Sequence, residues 1–292
     1  MSFLSILEDF EHSQGFQMVN RIESKFNQLK ARGEKALIAY IMAGDPSLRD
    51  TETLVLELER TGADVIELGV PFSDPIADGP VIQKAAERAL RSGTSLRRIL
   101  DTVASLRSRS DIPLVLMAYY NTIHAFGEEA FCRQAAAAGV DGLIVPDMPP
   151  EEDRFLAAAK CEGGPLLIYL LAPTSTPARF THIARRSKGF VYYVSLTGIT
   201  GAQLTDLEGL KRNVAKIRKA ASVPVAVGFG IATPQDVAQI AELADGVIVG
   251  SAIVRRIEQY RDDPQMSLHV GGFVRSLKEA TLRQKVKTEV KA

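Results

Sequence analysis

The chain has 292 residues, 46% of them apolar and 24% charged, with 35 basic side chains set against 35 acidic ones. That composition fits a soluble globular protein with a large core. The charge balance excludes a bulk field that would favour nucleic acid or an anionic membrane.

In chain order, residues 1–18 precede the first patterned helix, VNRIESKFNQLKARG, and read as an accessory N-terminal segment. They carry Glu8, Asp9 and Glu11 and no basic n-region, so they do not read as a signal peptide. Eight short, almost continuously apolar runs follow: 36–42, 64–70, 113–119, 142–146, 165–171, 190–195, 224–229 and 246–250. Such runs suit strands buried on both faces. Segments such as TETLVLELERTG, TSLRRILDTVASLRS and GLKRNVAKIRKAAS lie between them with helical periodicity, and Thr233-Pro234 reads as an N-cap followed by a first-turn proline. Strand and helix alternate, which predicts a parallel sheet. Eight repeats at this length fit a closed (β/α)8 barrel, the TIM barrel, better than an open doubly wound sheet. The fold expected is a single α/β barrel domain over 19–292 with an extra N-terminal helix. The longest apolar stretch, PLLIYLLAP, is too short to span a bilayer.

Residues 67–80 read ELGVPFSDPIADGP and place Glu67, Asp74 and Asp78 within fourteen positions. Glu67 lies inside the second run, and by alternation it points away from the side on which Ile66 and Leu68 lie. A carboxylate against a packed helix costs several kcal/mol unless paired, so the barrel mouth is the cheaper place. In a partly apolar mouth its pKa rises and it can carry a proton. An ion pair with Lys or Arg explains it equally well at this stage. Asp74 and Asp78, taken singly, are ordinary turn residues. Their loop, stiffened by Pro71, Pro75 and Pro80 and exposing Phe72 and Ile76, reads as a lid or docking surface.

Glycines gather after the last three runs: Gly198 and Gly201 in SLTGITGA, Gly228 and Gly230 in GFGIATPQD, and Gly250 before Ser251 at the start of GSAIVRRIEQY. Such loops and helix starts bind phosphate, and in barrels the site lies after strands seven and eight. Turn formation alone explains any one of them. GFGIAT fails as a dinucleotide fingerprint. Thr233 stands where its third glycine belongs, and Asp245 precedes the eighth run instead of ending a strand. Two cysteines, Cys132 and Cys161, form no disulfide framework and read as reduced thiols of a cytoplasmic protein. The four histidines (His12, His124, His182 and His269) are scattered and give no metal-ligand spacing.

AYIMAGDPS, ELGVPFSDPIADGP, LMAYYN, VDGLIVPDMP, YYVSLTGITGA, VGFGI and GSAIV, in that order, resemble the alpha subunit of tryptophan synthase over about residues 19–285. The resemblance implies a lyase that cleaves indole-3-glycerol phosphate by a retro-aldol reaction into indole and glyceraldehyde 3-phosphate, with no metal and no cofactor. It implies that Glu67, Asp78 and Tyr192 act on the substrate, and that Gly201, Gly230, Gly250 and Ser251 hold its phosphate. Tyr40, Met117, Ile144 and Phe229 would wall the indole pocket, and Thr200 would help close it. Asp74, Asn121, Asp147 and Pro149 match the region that meets a beta subunit, which converts indole to tryptophan with pyridoxal phosphate in an αββα complex. Leu196 departs from the arginine of some members. A stand-alone lyase releasing free indole, another phosphate-binding barrel such as an isomerase or epimerase, and a partner-activating subunit with little catalysis of its own are the competing readings.

Overall fold

All seven residues of Ala36–Met42 are buried, as expected of a strand covered on both faces. The computed structural model describes residues 20–153, 163–194, 206–228 and 230–282. In chain order the elements are α1 (Arg21–Ala31), β1 (Ala36–Met42), α2 (Leu48–Arg60), β2 (Val65–Gly69), α3 (Pro80–Arg91), α4 (Leu96–Arg107) and β3 (Leu114–Met117). Then come α5 (Tyr120–Phe126), α6 (Glu128–Ala138), β4 (Gly142–Ile144), β5 (Leu166–Leu167), β6 (Leu170–Leu171), α7 (Pro177–Arg186) and β7 (Val191–Val194). The chain continues through α8 (Leu207–Ala220), β8 (Val225–Gly228), α9 (Pro234–Ala241), β9 (Gly246–Val249), α10 (Ser251–Tyr260) and α11 (Met266–Leu282).

Every strand pair is parallel, in the order β5-β4-β3-β2-β1-β9-β8-β7-β6. β5 and β6 are two halves of the predicted fifth run, so the sheet closes on itself as a barrel. The single strand expected over 165–171 is thus corrected to two dipeptides. At the break, Tyr169 N–H donates to the Ser187 hydroxyl (2.9 Å) instead of to a neighbouring strand. The Tyr169 hydroxyl meets Asp153, whose carboxylate also takes Arg186 at 2.7 and 2.8 Å.

Alternation divides the strand residues between two cores. Leu37, Ala39, Ile41, Ile66 and Leu68 pack outward against the helices. Ile38, Val65, Val115, Ile144, Tyr192 and Ile248 fill the barrel. The base is plugged by α1, which sends Ile22, Phe26 and Leu29 into that interior. Asn20 caps this helix, accepting from Ile22 N–H at 2.9 Å, and its amide reaches Asp141 O at 3.0 Å.

Three aspartates just before strands lock the base in the same way. Asp64 accepts Leu37 N–H at 2.8 Å, Asp141 accepts Leu114 N–H at 2.8 Å and Asp245 accepts Val225 N–H at 3.0 Å. Each also holds a cation: Lys278, Arg107 and Arg218, all at 2.7 Å. Asp245 is therefore a structural residue at the end of the barrel away from the strand C-termini. Replacing Asp141 by Ala leaves Arg107 and the Leu114 N–H without their carboxylate. Urea unfolding of Asp141→Ala should show a loss of about 3–5 kcal/mol, the usual result of breaking a buried pair from one side.

Candidate functional site

Register decides where Glu67 points. It lies beside Tyr40 of β1 and Val115 of β3. Val115 belongs to the barrel interior, whereas the flanking Ile66 and Leu68 belong to the outer core. Glu67 is therefore inside the barrel, 1% exposed. The expected alternative of an ion pair is lost, because neither carboxyl oxygen has a hydrogen-bond partner among the described residues. Burial pushes its pKa up to about 8, and nearby Asp78 adds to the rise. At neutral pH the group is a neutral acid, which removes the cost of a bare buried charge.

Asp78 reaches the same space from the loop after β2. A turn closed by Asp78 N–H to Pro75 O (3.0 Å) and the start of α3 at Pro80 set its place. Burial raises its carboxyl to about 6, while the hydroxyl of Tyr119 acts as a donor and holds it down. Glu67 and Asp78 thus titrate in different ranges, because one is enclosed by the barrel and the other is partly wet and has a donor.

Two phenols lie over these acids. A Cβ on Gly69 would sit 2.2 Å from the Tyr40 hydroxyl, and one on Gly228 would sit 2.7 Å from the Tyr192 hydroxyl. The tyrosines can cross the strand ends only because those positions lack side chains. Gly228, expected in an anion-binding loop, is instead the last residue of β8 with this packing role. Burial raises both phenols well above their ordinary value, and the two carboxyls add to it, so both remain donors.

The predicted pocket walls come together in part. Tyr40 packs with Met42, Ala85, Ala86 and Val254 at the mouth, and half-buried Met117 touches both this group and the interior group that contains Ile144. Phe229 lies outside the described residues, as do Leu196, Thr200 and Gly201.

The starts of the last two barrel helices differ. α9 closes its own: Thr233 accepts Asp236 N–H, and the Asp236 carboxylate takes Ala232 and Thr233 N–H at 3.0 and 2.9 Å. α10 begins at Ser251 behind Gly250 with no side-chain cap. Ile253 N–H already donates to Gly250 O at 2.8 Å, which leaves the N–H groups of Ser251 and Ala252 and the helix dipole to an anion. Gly230, with φ +74°, is exposed nearby in sequence, at the end of β8.

The four residues expected to meet a partner lie on segments after β2, β3 and β4, all at the strand C-terminal end. Asp74 and Asn121 are exposed. Exposed Asp147 accepts Tyr120 N–H at 2.9 Å and so caps α5. Pro149 is half-buried and, with Asp147, lines a cavity of about 370 Å³. Ile76 is 86% exposed, as expected. Phe72 is not: its ring packs on Tyr119 with centroids 5.3 Å apart. Tyr119 itself went unread in the sequence. The available signal was a polar-tipped aromatic just past a barrel strand, where function concentrates.

Among the described residues no group of three or more His, Cys, Asp and Glu side chains is placed to hold a metal ion. The state of Glu67 has a measurable effect on stability. Its folded pKa of about 8 exceeds the ordinary 4.5. The stability it adds is therefore complete below about pH 4.5 and lost as pH rises through about 8. Glu67→Gln keeps the shape and cannot ionise. Its stability should gain on that of the unsubstituted chain between about pH 4.5 and 8 and level off above, by a few kcal/mol at about 1.4 kcal/mol per pKa unit, read as a widening difference in melting temperature over that range.

Residues 26–282 match the family model described as tryptophan synthase alpha chain. The tryptophan synthase alpha chain of Citrifermentans bemidjiense is 51% identical over 265 residues, spanning 91% of this chain and 99% of that one. That of Nitrosococcus oceani is 50% identical, spanning 90% and 97%. The crystal structure of tryptophan synthase subunit alpha from Legionella pneumophila superposes with a TM-score of 0.83 at 40% identity, covering 91% of this chain and 99% of that one. A chain in the aminoacrylate-bound crystal structure of tryptophan synthase from Mycobacterium tuberculosis gives 0.80 at 35% identity, covering 90% and 100%. With the barrel, the enclosed acids and these matches in place, the chain belongs to the tryptophan synthase alpha chain family.

Proposed function

We propose that Glu67 and Asp78 together cleave indole-3-glycerol phosphate into indole and glyceraldehyde 3-phosphate. The observation that carries this reading is the pair itself: two carboxyls in one apolar mouth, one raised to about 8 and the other to about 6. Near neutrality the pair holds one proton, and it sits on Glu67. The leaving carbon of the substrate, C3 of indole, departs only once protonated. Glu67 gives its proton to C3, and the positive charge that forms spreads to the ring nitrogen. The Asp78 carboxylate stabilises that charge at N1–H. The Glu67 carboxylate then takes the proton of the glycerol hydroxyl as the carbon–carbon bond breaks, its electrons return to the ring and the aldehyde forms. Glu67 ends protonated, as it began. No further reactant is needed.

The remaining site residues serve this chemistry. Tyr192 is a donor beside both acids, while Tyr40, Met117, Ile144 and Phe229 form the slot for the ring. The uncapped start of α10 at Gly250 and Ser251, with Gly201 and Gly230, takes the phosphate, and Thr200 helps to close the site. Anchoring the tail fixes the reacting carbon between the acids, which lowers the entropic part of the barrier. The residues from 19 to 292 act as one catalytic domain, with 1–18 accessory to it.

The same reading gives the chain a beta subunit as partner. Asp74, Asn121, Asp147 and Pro149 lie, like exposed Ile76, on segments at the mouth end, and indole leaving there would pass to that subunit. An αββα complex and a cytoplasmic location complete the proposal. The location suits an enzyme of phosphorylated intermediates, and no helix among the described residues is long and apolar enough to cross a membrane. An isomerase would have no need of an indole-sized slot between two acids.

Purified chain, with and without a beta subunit, should release glyceraldehyde 3-phosphate from indole-3-glycerol phosphate, and Glu67→Gln should lower the rate at least about a hundredfold. Failure of a folded native chain to release it under either condition would overturn the reading. The pH dependence has a definite sign. Below about 6 Asp78 is protonated and cannot stabilise the ring charge, and above about 8 Glu67 has lost the proton it must give. A plot of kcat/KM against pH should be bell-shaped with its maximum near 7, and Asp78→Asn should remove the acidic limb.

A further inference from the structure

Asp78 sits on a loop, yet its task requires a fixed direction. The structure supplies an anchor from a different strand. Tyr119 follows β3 by two residues, and the strand end that carries it is held on both sides: Val70 N–H donates to Met117 O at 2.8 Å, and Ala118 N–H donates to Ile144 O at 3.0 Å. The side chain is 5% exposed. Its ring is packed by Phe72, and its hydroxyl accepts the N–H of Ala77, the residue before Asp78, at 2.9 Å. The same hydroxyl has one proton left to give, and its influence on the carboxyl of the next residue, Asp78, is to favour the ionised form.

We infer that Tyr119 is a positioning residue for Asp78: one hydroxyl, accepting from the backbone of the loop and donating to its carboxylate, fixes where that carboxylate points. The inference rests on the lyase reading and deepens it. The direction of the ring charge in the substrate demands a carboxylate at N1–H, and a loop aspartate free to rotate would meet that demand only part of the time. Tyr119 restricts the rotation and also favours the ionised form. The titratable groups around this pair are Glu67 on β2, Tyr40 on β1, Tyr192 on β7 and Asp147 in the loop after β4, which acts on Tyr119. All are acids or phenols, so Tyr119 favours the Asp78 carboxylate where each of the others, if charged, would oppose it.

The test compares Tyr119→Phe with the native chain, in complex with a beta subunit, on indole-3-glycerol phosphate. Phenylalanine keeps the ring against Phe72. The expected result is a fall in kcat of about tenfold to a hundredfold, the range for a hydrogen bond to a charged group, with KM changed less than about threefold. The acidic limb of kcat/KM moves to higher pH, because the donor that favours the Asp78 carboxylate is gone. In an Asp78→Asn background the same substitution has no further effect on kcat, as expected of two residues acting through one contact. Equal losses in both backgrounds, or a native acidic limb in Tyr119→Phe, overturn the inference. A native chain that cleaves the substrate and a Tyr119→Phe chain that matches it would reject Tyr119 alone. A native chain that cleaves nothing would reject the lyase reading beneath it. If Tyr119→Phe does not fold, 3-fluorotyrosine at position 119 keeps the shape and is a stronger donor. Carbon-13 NMR of the Asp78 carboxyl should then show its titration moved to lower pH, and no movement overturns the inference.

Discussion

A carboxyl group enclosed by a barrel, with no hydrogen-bond partner among the described residues, is the constraint on which the rest of this site depends. Glu67 is held by the backbone ladders of β1 and β3 on either side, so it cannot swing out to water without breaking the sheet. The position therefore fixes its chemistry: it carries a proton at neutral pH and gives up that proton only to something brought into the mouth. The phenols of Tyr40 and Tyr192, admitted by Gly69 and Gly228, keep the surroundings polar without offering a positive charge. A lysine or arginine in the same place would ionise Glu67 and remove its acidity.

Rigidity at the other end makes this placement possible. The barrel base is filled by α1 and tied by Asp64, Asp141 and Asp245, each joining an N–H at the start of the neighbouring, preceding strand to a cation from a helix. These carboxylates differ from Glu67 in partners, not in residue type. Each accepts a backbone N–H and an ion pair, so each is satisfied where it stands. The strand C-terminal end has loops in place of such ties, and there the acids, the uncapped helix start and exposed Ile76 are found. Stability and chemistry thus occupy opposite ends of one sheet, a usual division in this architecture.

Much of this could be read from the sequence, for identifiable reasons. The strand runs were visible because both faces are buried, and the inward direction of Glu67 followed from alternation with Ile66 and Leu68. Whether Glu67 had a cationic partner could not be read, because that depends on residues brought together from separate strands. The fifth run misled because apolar periodicity does not reveal that Ser187 would take the Tyr169 N–H and interrupt the ladder. Gly228 misled in a related way, since a glycine needed for a turn and one needed beneath a tyrosine look alike until the register is known. Tyr119 was missed because its partners, Ala77 and Asp78, lie some forty positions away in sequence.

The interrupted fifth strand gives the barrel two unequal arcs. β1 to β5 form one and β6 to β9 the other, continuous through the β1–β9 ladder and joined at the far side only by the short bridge through Ile168 and Tyr169. Glu67, Asp78 and Tyr119 belong to the first arc, whereas Tyr192 and the start of α10 belong to the second. A molecule gripped at once by the acids and by the helix start would span from one arc to the other. Those two grips flank β1, where the ladders run unbroken from β2 to β9, so the thin seam lies across the ring from them and the distance between acids and helix start is set by the strongest part of the sheet, not by its weakest.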